Sequence, residues 1–208
     1  MAHGCDVTLA DVSQKAVEYA LARFGDRPGF RALVLDARDA ELIGQGAFDC
    51  VMVMGPFYHL LNEQERERAL ESVARALKPR GRLLAAAINF YGAITEVLAR
   101  GSSALFLSED VPLDPHVDNY PYEVPDGQGF TDLFMTRPAA FRAFFERHGW
   151  RMLSLAASRG PFMNLGGVLD AASPEVQRKA ELPTLATCED RDIIGRSNHL
   201  IYVGERPD

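Results

Sequence analysis

Cysteine is scarce in this chain: three among 208 residues, at positions 5, 50 and 188, far apart and with no Cys-x-x-Cys pair. Such spacing offers neither a disulfide framework nor a zinc site, and it points to a reducing compartment. Clusters of basic residues are lacking as well. With 22 Lys and Arg against 29 Asp and Glu the formal net charge is -7, which disfavours a nucleic acid partner, since a phosphate backbone is held by grouped Lys and Arg. No apolar run approaches the roughly 20 residues that span a bilayer, and the N-terminus lacks the charged-then-apolar layout of a secretion signal. The expectation is a cytoplasmic chain with no membrane partner. Its length suits one domain over 1–208, without internal repeats or low-complexity segments.

What is present is an alternation of short apolar runs with amphipathic stretches. Gly4 reads as a helix stop ahead of a β-prone run, Cys5 to Asp11. Ser13 is a good N-cap, and Val17, Ala20, Leu21 and Phe24 recur at helical spacing until Gly25. A second strand runs from Phe30 to Leu35 and ends at Asp36, so a carboxylate stands at the end of two successive strands. Gly44-Gln45-Gly46 is a loop with no helix behind it, so its GxG carries no phosphate-cradle meaning. The run Cys50 to Met54 is too short for a helix and reads as a strand covered on both faces. It stops at Gly55-Pro56, and Phe57, Tyr58 and His59 follow where open parallel sheets bind ligands.

Asn62 and Glu65 predict a capping box for a helix with Leu70, Val73, Ala74 and Leu77 on its apolar stripe. Arg82 to Ile88 is a further strand, and Tyr91, Ile94, Thr95 and Leu98 mark a helix closing at Gly101. Three rounds of strand and helix imply an α/β fold, because each parallel connection needs a crossover of about a dozen residues. From 102 to 136 the alternation breaks. Pro112, Pro115, Pro121 and Pro125 rule out a long regular element, and the segment reads as a lid-like insert with Tyr120, Tyr122 and Phe130 to bury. Thr136 is expected to cap a helix through Phe141, Phe144 and Phe145. Beyond it come a strand over Trp150 to Ala156, a loop over Arg159 to Asn164 and Gly166-Gly167, a short helix over Ser173 to Glu181, and a last strand over Ser197 to Gly204.

Taken in order, Val7 to Ser13, Leu35-Asp36-Ala37, Phe48-Asp49 through Gly55-Pro56-Phe57-Tyr58-His59-Leu60, Ala76 to Arg82 and Ser197 to Leu200 resemble class I S-adenosylmethionine-dependent methyltransferases, in particular bacterial small-molecule members. The resemblance spans nearly the whole chain. It implies a Rossmann-like, mostly parallel sheet with helices on both faces and an antiparallel last strand. It implies that S-adenosyl-L-methionine is the cofactor, with Asp11 accepting from the ribose hydroxyls, Val12 packing on the adenine, Asp36 taking the adenine amino group and the Ala37 amide a ring nitrogen. Met54 and Gly55 would lie along the methionine part. Tyr58 and His59 would face the methyl group or a small-molecule acceptor, with His59 as the candidate base. Against these stand plainer readings: Asp11 and Asp36 as turn residues, Met54-Gly55 as a buried strand end and a bend, His59 as a structural hydrogen-bonder.

Met54-Gly55-Pro56-Phe57 lacks the polar first residue common in enzymes that methylate exocyclic or amide nitrogens, which favours a small-molecule acceptor. His199, Trp150, Asp114, His116 and Asp118 are further residues that could face it; no metal is expected from the acidic loop. One departure matters. The family's glycine-rich loop should lie about 20 residues before the ribose carboxylate, and ten residues precede Asp11, so the central first strand and its loop have no counterpart. Either Met1 is an internal start or the chain is a non-catalytic, truncated module that associates through exposed sheet edges, with a homo-oligomer as one outcome. A nicotinamide-dependent dehydrogenase shares the acidic ribose residue but equally lacks its glycine fingerprint.

Overall fold

A computed structural model describes residues 4–99, 117–123 and 131–207. Strand β1 (Val7–Asp11), helix α1 (Gln14–Phe24) and strand β2 (Phe30–Val34) form a β-α-β unit closed by a parallel ladder that runs from Val7 opposite Phe30 to Asp11 opposite Val34. Ser13 caps α1 as its sequence predicts, its hydroxyl accepting from the Ala16 N–H. Val17 and Ala20 are buried and Phe24 meets Phe30 edge-on at 5.7 Å, whereas Leu21 stays exposed.

After β2 a tight 3-10 segment, Ala37–Ile43, leads to strand β3 (Phe48–Val53), a single turn Pro56–Tyr58, helix α2 (Glu63–Ala76) and the long strand β4 (Leu77–Asn89). Helix α3 (Phe90–Ala99), strands β5 (Asn119–Tyr122) and β6 (Leu133–Thr136), helix α4 (Pro138–Glu146) and strand β7 (Arg151–Ala157) follow. A 3-10 segment over Gly160–Leu165, helices α5 (Gly166–Asp170), α6 (Pro174–Thr187) and α7 (Arg191–Ile194), and strand β8 (His199–Glu205) complete the described chain. The fold is α/β, and the last strand is antiparallel to β4 as expected.

The larger sheet is organised on β4. Strand β8 occupies one edge of it from Arg82 to Ile88, so β3, on Arg82 to Ala85, and β6, on Ile88 and Asn89, share the other. Antiparallel pairings gather at β5 with β6 and at β7 with β8. Leu70, Val73, Leu83, Phe141, Phe145 and Tyr202 fill the core between this sheet, α2 and α4.

Several expectations need correction. The run Cys50 to Met54 is covered on one face only: Val53 is buried and Val51 packs on the core, but Cys50 is exposed and Met52 is 64% exposed. Nothing among the described residues covers that second face. The capping box is half made, because Asn62 accepts from the Gln64 N–H while Glu65 turns to Arg38. Thr136 is not a cap; it ends β6, buried, with its hydroxyl donating to Asn119, and the Arg137 backbone opens α4. Residues 160–170 are helical rather than a loop, and α6 continues to Thr187 through Pro183, with the Thr184 and Thr187 hydroxyls taking carbonyls at Ala180 and Pro183. Within the 102–136 segment, β5 and β6 extend the sheet, with Pro121 on the outer strand where a missing N–H is tolerated. Tyr120 is buried and stacks on Phe90 at 3.4 Å. Gly101, Pro112, Pro115, Pro125 and Phe130 lie outside the described residues.

Tyr202 supplies a test of the core. Its ring is fully buried and stacks on Phe145 at 3.9 Å, but its hydroxyl has no hydrogen-bond partner among the described residues and burial pushes its pKa up to about 12. An unpaired buried hydroxyl costs about 1–3 kcal/mol. Tyr202→Phe is therefore expected to be neutral or to stabilise by up to about 1 kcal/mol, while Tyr202→Ala loses about 3–5 kcal/mol through the cavity, both read by urea unfolding.

Candidate active site

The carboxyl ends of β1 and β2 carry the two acids. Asp11 ends β1, and the Leu35 N–H donates to its carbonyl, so Asp36 stands beside it across the parallel ladder. One Asp11 carboxylate oxygen accepts from the Ser13 N–H at 2.8 Å. Val12 projects an apolar side chain that is 67% exposed, an unusual cost unless something covers it.

Asp36 is more heavily engaged. Its Oδ1 accepts from the Arg38 backbone N–H at 2.8 Å and from Arg38 Nε at 3.0 Å, and its Oδ2 accepts from Arg38 Nη2 at 2.6 Å. The same guanidinium donates through Nη1 to Glu65 at 2.5 Å. This fork holds the Asp36 carboxyl below the ordinary carboxylate range. A carboxylate offers about four lone-pair directions, so one remains for a further donor. Ala37 opens the 3-10 segment, and an N–H at that position has no partner within its own helix.

Through Glu65 the end of β2 is tied to the first turn of α2, which the chain reaches directly from the turn after β3. At that turn Met54 is partly exposed, and a Cβ placed on Gly55 would meet only the Tyr58 hydroxyl, at 3.9 Å. Packing alone does not demand a glycine there. The Tyr58 hydroxyl donates to the Met54 carbonyl, and burial pushes its pKa up. His59 Nδ1 lies 3.0 Å from the Asp132 carbonyl. A carbonyl only accepts, so Nδ1 carries the proton and, in the neutral ring, Nε2 holds the free lone pair. The bond also fastens the start of β6 to the site.

The ring of His199, one of the further residues expected to face an acceptor, stands at the start of β8 edge-on to Tyr58 at 5.9 Å. Trp150 does not join them. It is buried in the core ahead of β7, at the opposite end of the sheet, where Arg151 and Arg82 both pair with Glu205. Asp118 pairs with Arg137 at 3.3 Å, and Asp114 and His116 lie outside the described residues. Sequence reasoning missed Arg38, although an Asp-x-Arg at a strand end is a readable pairing signal. It also missed Asn89, whose signal is an amide inside the apolar run Leu83 to Phe90. The Asp132 contribution is a backbone carbonyl and leaves no trace in side-chain chemistry.

Arg38 allows a check. Asp36 is ionised in the folded state at lower pH than its ordinary value of 3.8, so its contribution is present above that value and is lost as pH falls through the lowered folded pKa. Arg38→Met is expected to cost about 1 kcal/mol near neutral pH, as for a partly exposed ion-pair network, and to weaken the fall in stability below about pH 4. Urea midpoints at pH 7 and pH 3 measure both; equal losses at the two values would refute the assignment.

Residues 1–81 match the family model described as a methyltransferase domain. A glycine/sarcosine N-methyltransferase from Halorhodospira halochloris is 28% identical over 159 residues, which cover 72% of this chain and 59% of that protein. The chain thus spans about three fifths of that relative's length. Among solved structures, an S-adenosylmethionine-dependent methyltransferase from Methanosarcina mazei superposes with a TM-score of 0.58 at 11% identity, covering 96% of this chain and 81% of that one. The 1,6-didemethyltoxoflavin-N1-methyltransferase of Burkholderia thailandensis, solved with bound 1,6-didemethyltoxoflavin and S-adenosylhomocysteine, gives 0.56 at 13% identity, covering 100% of this chain and 64% of that one. These structural likenesses establish the Rossmann-like methyltransferase fold.

Proposed function

We propose that this chain is a class I S-adenosylmethionine-dependent methyltransferase, that S-adenosylmethionine is its cofactor, and that its reaction is methyl transfer to a small-molecule acceptor. The observation that carries this reading is the arrangement of Asp11 and Asp36 on adjacent parallel strand ends, linked by Arg38 and Glu65 to the turn that holds Gly55, Tyr58 and His59. When bound, S-adenosylmethionine supplies a methyl group on a sulfonium, suited to in-line displacement, where alignment provides most of the rate.

The residues present fit that group. Asp11 keeps carboxylate capacity beyond its bond to Ser13 for the ribose hydroxyls, Val12 offers its exposed side chain to the adenine, and Asp36 with the Ala37 N–H reads the adenine edge. Met54 and Gly55 line the methionine part. Tyr58 and His59 face the acceptor, with His59 Nε2 free to take a proton from it. The Asp132 carbonyl, ahead of β6, ties the segment read as a lid to His59. A small acceptor is supported by the relative named for glycine and sarcosine and by the neighbour named for didemethyltoxoflavin.

A second reading, a non-catalytic module acting through protein association, draws on a different observation. Among the described residues β1 pairs only with β2, and β3 only with β4, so each keeps one unpaired edge. Calorimetric titration with S-adenosylhomocysteine separates the two. Saturable binding that Asp11→Ala weakens by roughly 10–100-fold, the worth of a hydrogen bond to a charged group, supports methyl transfer. Absence of heat, together with a dimer by light scattering, would favour association.

A further inference from the structure

Asn89 is the last residue of β4, has no exposed surface, and sits among apolar neighbours. Its amide nitrogen donates to the Ser197 carbonyl at 2.7 Å and the Gly195 carbonyl at 3.0 Å, with the Ile194 carbonyl at 3.3 Å, and its backbone N–H donates to the Asn198 carbonyl at 2.8 Å. Three carbonyls around one nitrogen fix the orientation of the amide, since the reversed group would set oxygen against oxygen. Its Oδ1 is consequently buried without a donor among the described residues. A helical turn later, Gly92 presses on the same segment: a Cβ there would overlap the Ser197 carbonyl. Residues 194–198 are therefore clamped from two directions by the end of β4 and the start of α3.

The residue after this clamp is His199, whose ring stands edge-on to Tyr58, and Tyr58 in turn donates to the Met54 carbonyl. Buried polar groups left unsatisfied are rare and concentrate where a site imposes them. We propose that Asn89 is a positioning residue for the acceptor side of the site: by holding 194–198 it sets His199 as the wall opposite Tyr58. Its purpose rests on the methyl-transfer reading, but the geometry it describes does not.

The test is NMR on the full chain with labelled histidine and tyrosine. The native protein should show ring-to-ring cross-peaks between His199 and Tyr58 as well as between Tyr58 and His59. In Asn89→Ala the first set should be lost while the Tyr58–His59 peaks persist. Gly92→Ala, which displaces Ser197 from the other side and leaves Asn89 intact, should do the same and carries the test if Asn89→Ala does not fold. Affinity for S-adenosylhomocysteine should stay within about twofold of native, the scatter of sites without shared partners. Absence of the His199–Tyr58 peaks in the native protein, or their survival in both variants, overturns the proposal. Failure of the native protein to bind S-adenosylhomocysteine would overturn the methyl-transfer reading and leave the clamp standing.

Discussion

Arg38 holds two carboxylates that belong to different parts of the fold, and the placement of everything at the site depends on that fork. No ladder joins β1 and β2 to the larger sheet among the described residues. The two ladders keep their carboxyl ends on a common side because the 3-10 segment after β2 is fastened along α2. Arg38 reaches Glu65, Asp39 reaches Arg68, and Glu41 takes both Ser72 and Arg75. At the far end the Gly46 and Ala47 N–H groups donate to the Arg75 and Ala76 carbonyls. Individually such partly exposed contacts contribute little. Strung over the whole length of one helix they fix a register, which a single pair cannot do.

This arrangement dissolves the opposition between a turn acid and a ligand acid. Asp36 caps the 3-10 segment, accepting the Arg38 N–H, and is at the same time oriented by the guanidinium so that its remaining lone pair has a set direction. Asp11 likewise serves Ser13 at the entrance to α1 and keeps capacity to spare. A carboxylate at a strand end is common because it satisfies the next helix, and that commitment holds its remaining lone pairs in a fixed direction. Tyr58 repeats the pattern, its hydroxyl committed to Met54 and its ring left to face His199.

The elements with a strong period were legible in the sequence: α1 from its Ser13 cap, α2 from Asn62, the Phe141, Phe144 and Phe145 face of α4, and the strands that end at Asp11 and Asp36. What escaped is set by partners distant along the chain. Thr136 reads as a cap until Asn119 takes its hydroxyl, and Glu65 as half of a capping box until Arg38 takes it. The strand before Gly55 was read as doubly covered because apolar composition does not say which face has a neighbour. At the site, the placement of Asp11 and Asp36 at strand ends and of Tyr58 and His59 at the turn after β3 was legible, whereas the contact made by Asn89 spans more than a hundred positions and has no local sign beyond a polar residue in an apolar run.

The edges of β1 and β3 add a last constraint. Natural sheets protect an exposed edge with lysine, proline, a bulge or a covering loop. Here β1 offers Val7, Leu9 and Ala10, and β3 carries Cys50, Met52 and Val53 behind a single exposed acid, Asp49, which Lys78 neutralises. The irregularity between Phe48 and Cys50 lies on the ladder side towards β4 and does nothing for the opposite edge. Both strands point the same way as their partners, so either edge is suited to a further parallel strand. With Met52 and Val12 exposed close to the strand ends that carry the site, whatever meets these edges would bear directly on how firmly Asp11 and Gly55 are held, and catalysis and association are then two demands on one set of backbone groups.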